Sequence, residues 1–426
     1  MKHAPSLVLL ALLGCGGAAS SPPPSAPPPP PSVPATTAVP APTPAASHAP
    51  VIAMTPKQLL EKLFTEPHAD PAWFQPAFLQ AVPIAKLEEV TQQVLSTSGK
   101  LRSVHETPDP RKFEITFEKG NWDATIALAE GKVETLFVRP GVTQAATLDE
   151  AVAPLRALPG KVGFTIVSGG KTLAEQKEGE ALAVGSGFKL AVLVELRDRI
   201  EKQRRLAWDR VVPLDPKAKS LPSGILHQWP AASPVTVQTL ASLMISISDN
   251  TATDSVIHLL GRDSLARYGS GQFHPFLTTA EMFRLKGKGK DDALLERFRK
   301  AAPAQRATML DELAKTPLPR PEDYPTGVTA LDVEWFFSPA ELCSYMAKVH
   351  DLPLMGINPG VAKKSDWDRV AYKGGSEPGV SNMTTWVDKG AKSYCVSATW
   401  NDDKPVSDTR FSAAYRGVLA FLAKSP

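Results

Sequence analysis

The stretch Ala183-Val184-Gly185-Ser186-Gly187-Phe188-Lys189-Leu190-Ala191-Val192-Leu193-Val194-Glu195-Leu196 sets a serine between two glycines at the mouth of a strongly apolar run. Apolar residues all round a helix mark it as buried rather than as a surface helix. Lys189 follows Ser186 by one helical turn, so hydroxyl and ammonium share a face. A lysine held in such a helix loses hydration, its pKa falls, and it can serve as a base for the serine. The helix start also offers unpaired N–H groups to a developing oxyanion. Ser-x-x-Lys alone is a weak signal, since it arises by chance roughly once or twice in a chain of this length. Ser168-Gly169-Gly170-Lys171 has the same spacing, but its Gly-Gly centre between two alternating apolar runs reads as a hairpin turn.

Working outward, 426 residues suffice for two or more domains. The net charge of +3 and the absence of a basic run interleaved with aromatics argue against nucleic-acid binding. Lys286-Gly287-Lys288-Gly289-Lys290 reads as a solvated loop and lacks the P-loop spacing. Three cysteines, Cys15, Cys343 and Cys395, with no Cys-x-x-Cys and no His-Glu-x-x-His, predict neither a metal site nor a cofactor. Cys343 and Cys395 either pair in an oxidising compartment or stay as two separate buried thiols.

Residues 1–15 read as an export signal, with a basic start and a short apolar core too short to span a membrane. Leu12-Leu13-Gly14-Cys15 resembles the bacterial lipoprotein cleavage box, which implies lipid attachment at Cys15 and a location on a membrane facing the periplasm or the cell exterior. Residues 16–54, rich in Pro, Ala, Ser and Thr, cannot bury a core and read as a disordered, extended tether.

From 55 to 139, three helical segments precede alternating runs near 101–105, 112–117, 122–129 and 132–138, a small α+β domain. It resembles the curved-sheet folds of the nuclear-transport-factor or steroid-isomerase type and reads as a binding or packing module. From 147 to 426, strands fall early (163–167, 171–176) and late (369–373, 380–387, 393–400), with helices between them and at both ends. This predicts an α+β fold in which one antiparallel sheet is flanked by helices. Its halves come from the extremities of the domain, and an all-helical insertion fills the middle. Pro234-Val235-Thr236 is expected to open a helix that runs through Ile247.

Ser248-Asp249-Asn250 falls at a break between two helical runs, and Tyr372-Lys373-Gly374-Gly375-Ser376 on a late strand. In that order, Ser186-x-x-Lys189, Ser248-Asp249-Asn250 and Lys373-Gly374-Gly375 resemble the three motifs of the class A β-lactamases and penicillin-binding proteins. The flanks Leu206-Ala207-Trp208-Asp209, Ser223-Gly224-Ile225-Leu226 and Leu243 to Asp254 are similar to that family too. The resemblance covers about 148–426. It implies a serine hydrolase in which Ser186 forms an acyl-enzyme and Lys189 is a base. Ser248 would relay a proton and Lys373 would supply positive charge. Asn250, Gly375 and Ser376 would bind substrate, with the Ser186 and Ser376 N–H groups as oxyanion hole and Asp249 holding its loop. A small β-lactam or a cell-wall peptide is the implied substrate.

Two departures stand out. Gly374 lies where the family usually has a hydroxyl, which leaves Ser376 as a substitute. No Glu-x-x-x-Asn follows Ser248 to activate a deacylating water. Glu281 and Glu334 are candidates for that role, with a plain reading of each as a helix-surface carboxylate. β-Lactam hydrolysis is therefore the leading expectation. The alternatives are a cell-wall D,D-peptidase or esterase of the same fold, and a binding sensor that acylates without turnover.

Overall fold

A computed structural model describes residues 54–107, 109–118, 120–141, 145–269, 274–287 and 292–425. The signal, Cys15 and nearly all of the tether therefore lie outside the described residues. The rest falls into two compact units divided between Gly141 and Val142.

In the first unit Thr55 caps α1 (Pro56–Thr65) through a full capping box with Gln58, and Pro56 sits at the first helical position. The second of the three expected helical segments is split into a single 3-10 turn, Pro71–Trp73, and a short α2 (Pro76–Ala81), because Gln75 and Pro76 restart the chain. After α3 (Ile84–Ser98) come β1 (Leu101–Glu106), β2 (Lys112–Phe117), β3 (Gly120–Ala129) and β4 (Lys132–Pro140), an antiparallel meander in sequence order. Ile115, Ala124 and Ile126 bury one face of it against Leu59, Leu60 and Leu63 of α1.

The second unit opens with α4 (Leu148–Arg156), β5 (Lys161–Ser168), β6 (Lys171–Gln176) and the two-residue β7 (Leu182–Ala183). Ser168 pairs with Lys171 across Gly169 and Gly170, both at positive φ, so the second Ser-x-x-Lys is a hairpin turn. Next come α5 (Lys189–Arg197), β8 (Val211–Pro213), β9 (Pro234–Thr236), α6 (Val237–Ser246) and α7 (Asn250–Leu260). Pro234–Thr236 is thus a strand paired with β8 and not helical; the helix starts after it, capped by the Thr236 hydroxyl. The helices α8 (Thr279–Lys286), α9 (Ala293–Lys300), α10 (Pro303–Lys315) and α11 (Pro339–Ala347) follow, with the short β10 (Phe336–Phe337) before α11. The chain closes with β11 (Arg369–Glu377), β12 (Val380–Lys389), β13 (Lys392–Asn401) and α12 (Asp408–Lys424).

The main sheet runs β11-β12-β13-β5-β6, antiparallel throughout, so early and late strands join as the sequence order predicts. One face packs on α4 and α12 through Phe164, Ile166, Phe411 and Tyr415. Helices α5, α6, α7 and α11 contribute to a second core that includes Leu190, Leu193, Leu240, Met244 and Leu342. Cys343 of α11 and Cys395 of β13 form a disulfide, Cα–Cα 5.8 Å, tying helix to sheet. No helix among the described residues is long and apolar enough to cross a membrane.

Candidate active site

Ser186 lies in one 3-10 turn, Gly185–Phe188, that leads straight into α5. Phe188 anchors the turn, stacked on Trp335 with ring centroids 3.8 Å apart. Edge strand β11 passes it backbone to backbone. A Cβ on Gly375 would come within 2.6 Å of Ser186 N and 2.5 Å of Gly187 N, so only glycine fits there. A Cβ on Gly185, which sits at φ 48°, would lie 3.2 Å from Ser376 N. The amides of Ser186 and Ser376 are thereby brought to one place. No hydrogen bond holds the Ser186 hydroxyl among the described residues.

At the first position of α5, one turn after Ser186, Lys189 is fully buried. Its Nζ donates to Ser248 O at 2.5 Å, Ser248 Oγ at 3.1 Å and Asn250 Oδ1 at 2.7 Å. Burial first, and the Lys373 charge second, hold its pKa well below the usual lysine range; Asp254 and Asp249 oppose this. From β11, Lys373 donates to the same Ser248 Oγ at 3.1 Å and to Gly374 O. Burial brings its pKa down to about 7.

Ser248 bridges the two amines from a left-handed backbone, φ 57°, unusual for a residue with a side chain. Its carbonyl is held by the Ser223 hydroxyl at 2.7 Å as well as by Lys189. Asp249 is structural: it caps α7 through Ala252 N and accepts from the amides of Ile225 and Leu226 at 2.6 and 2.9 Å. Asn250 accepts from Lys189 and donates to Leu221 O at 3.1 Å. Ser186, Ser248, Asn250, Lys373, Gly375 and Ser376 line one cleft of about 670 Å³. The residues expected to acylate and to bind substrate thus meet there, with Lys189 behind them, whereas Glu281 and Glu334 do not line the cleft. No group of His, Cys, Asp or Glu that could hold a metal occurs among the described residues.

The two glutamates behave differently from each other and from the plain reading. Glu281 closes a capping box with Thr278 at the start of α8, and Arg262 grips it at 2.6 and 2.9 Å. Glu334 is no helix-surface carboxylate: it is fully buried just before β10, bonded to Lys286. Lys286 in turn is not part of a solvated loop; it ends α8, buried, and also bonds Glu377 at 2.8 Å. The other lysines of that basic cluster lie outside the described residues.

Sequence reasoning missed Tyr372. Its phenol occupies the space over Gly374: a Cβ there would be 2.9 Å from Tyr372 Cζ and nearer still to Oη. Gly360, at φ 59°, makes room for its ring, and burial pushes its pKa up to about 12. Period-two alternation puts 372 and 374 on one face, a signal present in the sequence. Asp254, one turn after Asn250, was also passed over. It caps α8 through Thr279 N at 2.7 Å and Ala280 N at 2.9 Å, and burial pushes its carboxyl up to about 7.

Among solved structures, a β-lactamase from Sphaerobacter thermophilus is similar at 19% identity, covering 65% of this chain and 94% of that one, with a TM-score of 0.44. A structure of PBP-A is similar at 16% identity, covering 67% and 98%, TM-score 0.44. A β-lactamase from Xanthomonas campestris is similar at 15% identity, covering 66% and 98%, TM-score 0.45. No curated protein matches. The model of the beta-lactamase enzyme family matches residues 146–416, more than half of the chain and the whole of the site just described. The chain belongs to the beta-lactamase enzyme family.

Proposed function

We propose that the chain hydrolyses β-lactams through an acyl-enzyme on Ser186. The observation that carries this reading is the Ser248 hydroxyl, 3.1 Å from the Nζ of both Lys189 and Lys373 and in the same cleft as Ser186. Lys189, with its lowered pKa, is suited to take the Ser186 proton as Oγ attacks the carbonyl carbon. The amides of Ser186 and Ser376 receive the oxyanion, each worth about 3–4 kcal/mol in an oxyanion hole. Ser248 passes a proton to the leaving nitrogen, while Lys373 faces the substrate carboxylate. Asn250 and Gly375 complete the substrate-binding edge.

Intact-mass spectrometry of the chain mixed with benzylpenicillin, sampled over time beside Ser186→Ala, tests this. A Ser186-dependent adduct that decays as hydrolysed penicillin accumulates is the expected result. A permanent adduct favours a binding sensor over a hydrolase. No adduct refutes the β-lactam reading and turns the search to peptides and esters. We further propose that the chain is exported and lipid-anchored through Cys15. The Cys343–Cys395 disulfide supports an oxidising compartment. Cys15→Ser should move the protein from the membrane to the soluble fraction.

A further inference from the structure

Acylation leaves one charged cluster of the cleft unused. Lys286 is buried between two carboxylates, Glu334, to which it bonds directly, and Glu377 at 2.8 Å. Glu334 is fully buried, and its Oε2 has no hydrogen-bond partner among the described residues. Glu377 keeps 20% of its side chain exposed and lines the cleft that holds Ser186.

Strand geometry fixes where Glu377 stands relative to the serine. Side chains on a strand alternate between faces, so 373, 375 and 377 share one. Lys373 reaches Ser248 from that face, and Gly375 packs on the Ser186 turn. Two residues of extended chain advance roughly 7 Å. Glu377 therefore flanks the Ser186 turn on the side away from Lys373, as far beyond Gly375 as Lys373 is before it. The acylating amines hold one flank, and a carboxylate holds the other.

Two carboxylates and one ammonium cannot all stay charged in a buried cluster without cost. Burial, then the charge of Glu377, pushes the Glu334 carboxyl well above the usual range. Of the two, Glu334 is the fully buried carboxyl and Glu377 the one that reaches the cleft. Among the described residues Tyr324 is the other titratable group against the cluster, and burial pushes its pKa up. Glu281 is unavailable, fixed by its cap and by Arg262. Glu334 itself is fully buried and does not line the cleft.

We propose that Glu377, backed by Lys286 and Glu334, is the general base that activates water for hydrolysis of the acyl-enzyme. This rests on the acyl-enzyme reading of Ser186. The water oxygen bonds to the acyl carbon as one of its protons passes to the Glu377 carboxylate. The carbon–Oγ bond then breaks, Ser186 Oγ takes that proton back, and the acyl group leaves as a carboxylic acid.

The test follows adduct formation and adduct loss separately, by quenched intact mass, on the full chain, Glu377→Gln and Glu377→Ala. Benzylpenicillin and p-nitrophenyl acetate are the two acylating probes. Adducts should form within about threefold of the parent rate while their loss slows by about 10²–10³. Added formate should restore loss in Glu377→Ala, which a merely structural role would not allow. Loss within threefold of the parent overturns the proposal. So does a parallel fall in formation, loss and melting temperature that formate does not relieve. Absence of any Ser186-dependent adduct with either probe in the parent overturns the acyl-enzyme reading instead, and this proposal with it.

Discussion

Replacing Lys373 by methionine should destroy activity and yet stabilise the fold at neutral pH. Lys373 is 2% exposed, and burial brings its pKa from 10.5 to about 7. At about 1.4 kcal/mol per pH unit, that gap corresponds to roughly 5 kcal/mol. The sign follows from which state holds the proton. Below pH 7 both folded and unfolded chains carry it, and the folded chain bears the full cost of a buried charge. Between about 7 and 10.5 the unfolded chain is protonated and the folded one is not, so stability rises with pH. Lys189 is shifted in the same direction, by burial and by Lys373 itself, so it adds to the trend and is relieved by the substitution. Against this, methionine forfeits the hydrogen bonds to Ser248 Oγ and Gly374 O, about 1 kcal/mol each. Lys373→Met should therefore be more stable than the parent by roughly 2–3 kcal/mol at pH 7, an advantage that shrinks by about 1.4 kcal/mol per pH unit up to pH 9. Urea unfolding of both proteins at pH 7, 8 and 9 measures it. A difference that does not change with pH, or a variant less stable at pH 7, would show that the folded chain keeps Lys373 charged, and would refute the reasoning.

Gly374→Thr, which restores a hydroxyl to the third motif, should lower stability by about 1–3 kcal/mol because its Cβ meets the Tyr372 phenol; thermal unfolding reads this, and Tyr372→Ala in the same chain should recover part of it. Glu281→Ala should cost about 1–2 kcal/mol through loss of the α8 cap and the Arg262 pair, with the lifetime of any acyl-enzyme unchanged. Reduction of the Cys343–Cys395 disulfide, which spans 52 residues, should cost about 3–4 kcal/mol, measured by unfolding with and without reductant.

What was legible in the sequence is what depends on short spacing. Ser186 and Lys189 lie one turn apart, Asp249 caps the helix it precedes, and the alternating runs of β5, β6 and β11 to β13 show their period within a few residues. The fold of the sheet followed from strand order alone. Contacts between distant segments were not legible. Lys286 meets Glu334 and Glu377 at separations of 48 and 91 residues, and no local pattern reports such a meeting. One clue existed: Lys286 and Glu334 each stand beside apolar residues, Leu285 and Val333, where a solvated charge is out of place. The pairing of β8 with β9 was hidden for another reason. Pro234 opens the second strand, and proline before a helical run reads more naturally as a helix start.

The two adjacent glycines of β11 show how differently the fold constrains neighbouring positions. Gly374 is glycine because a side chain, the Tyr372 ring, occupies its space, and a ring can shift or be shortened. The hydroxyl absent from that position is replaced along the same strand face by a phenol that lines the cleft. Gly375 is glycine because backbone occupies its space: a Cβ would press on the amides of Ser186 and Gly187 at 2.6 and 2.5 Å. Those amides cannot retreat without moving the serine away from Lys189 and from the edge strand. A substitution at 374 is therefore a matter of packing. One at 375 pushes β11 off the Ser186 turn and carries Lys373 and Glu377, its neighbours on the same face, away with it.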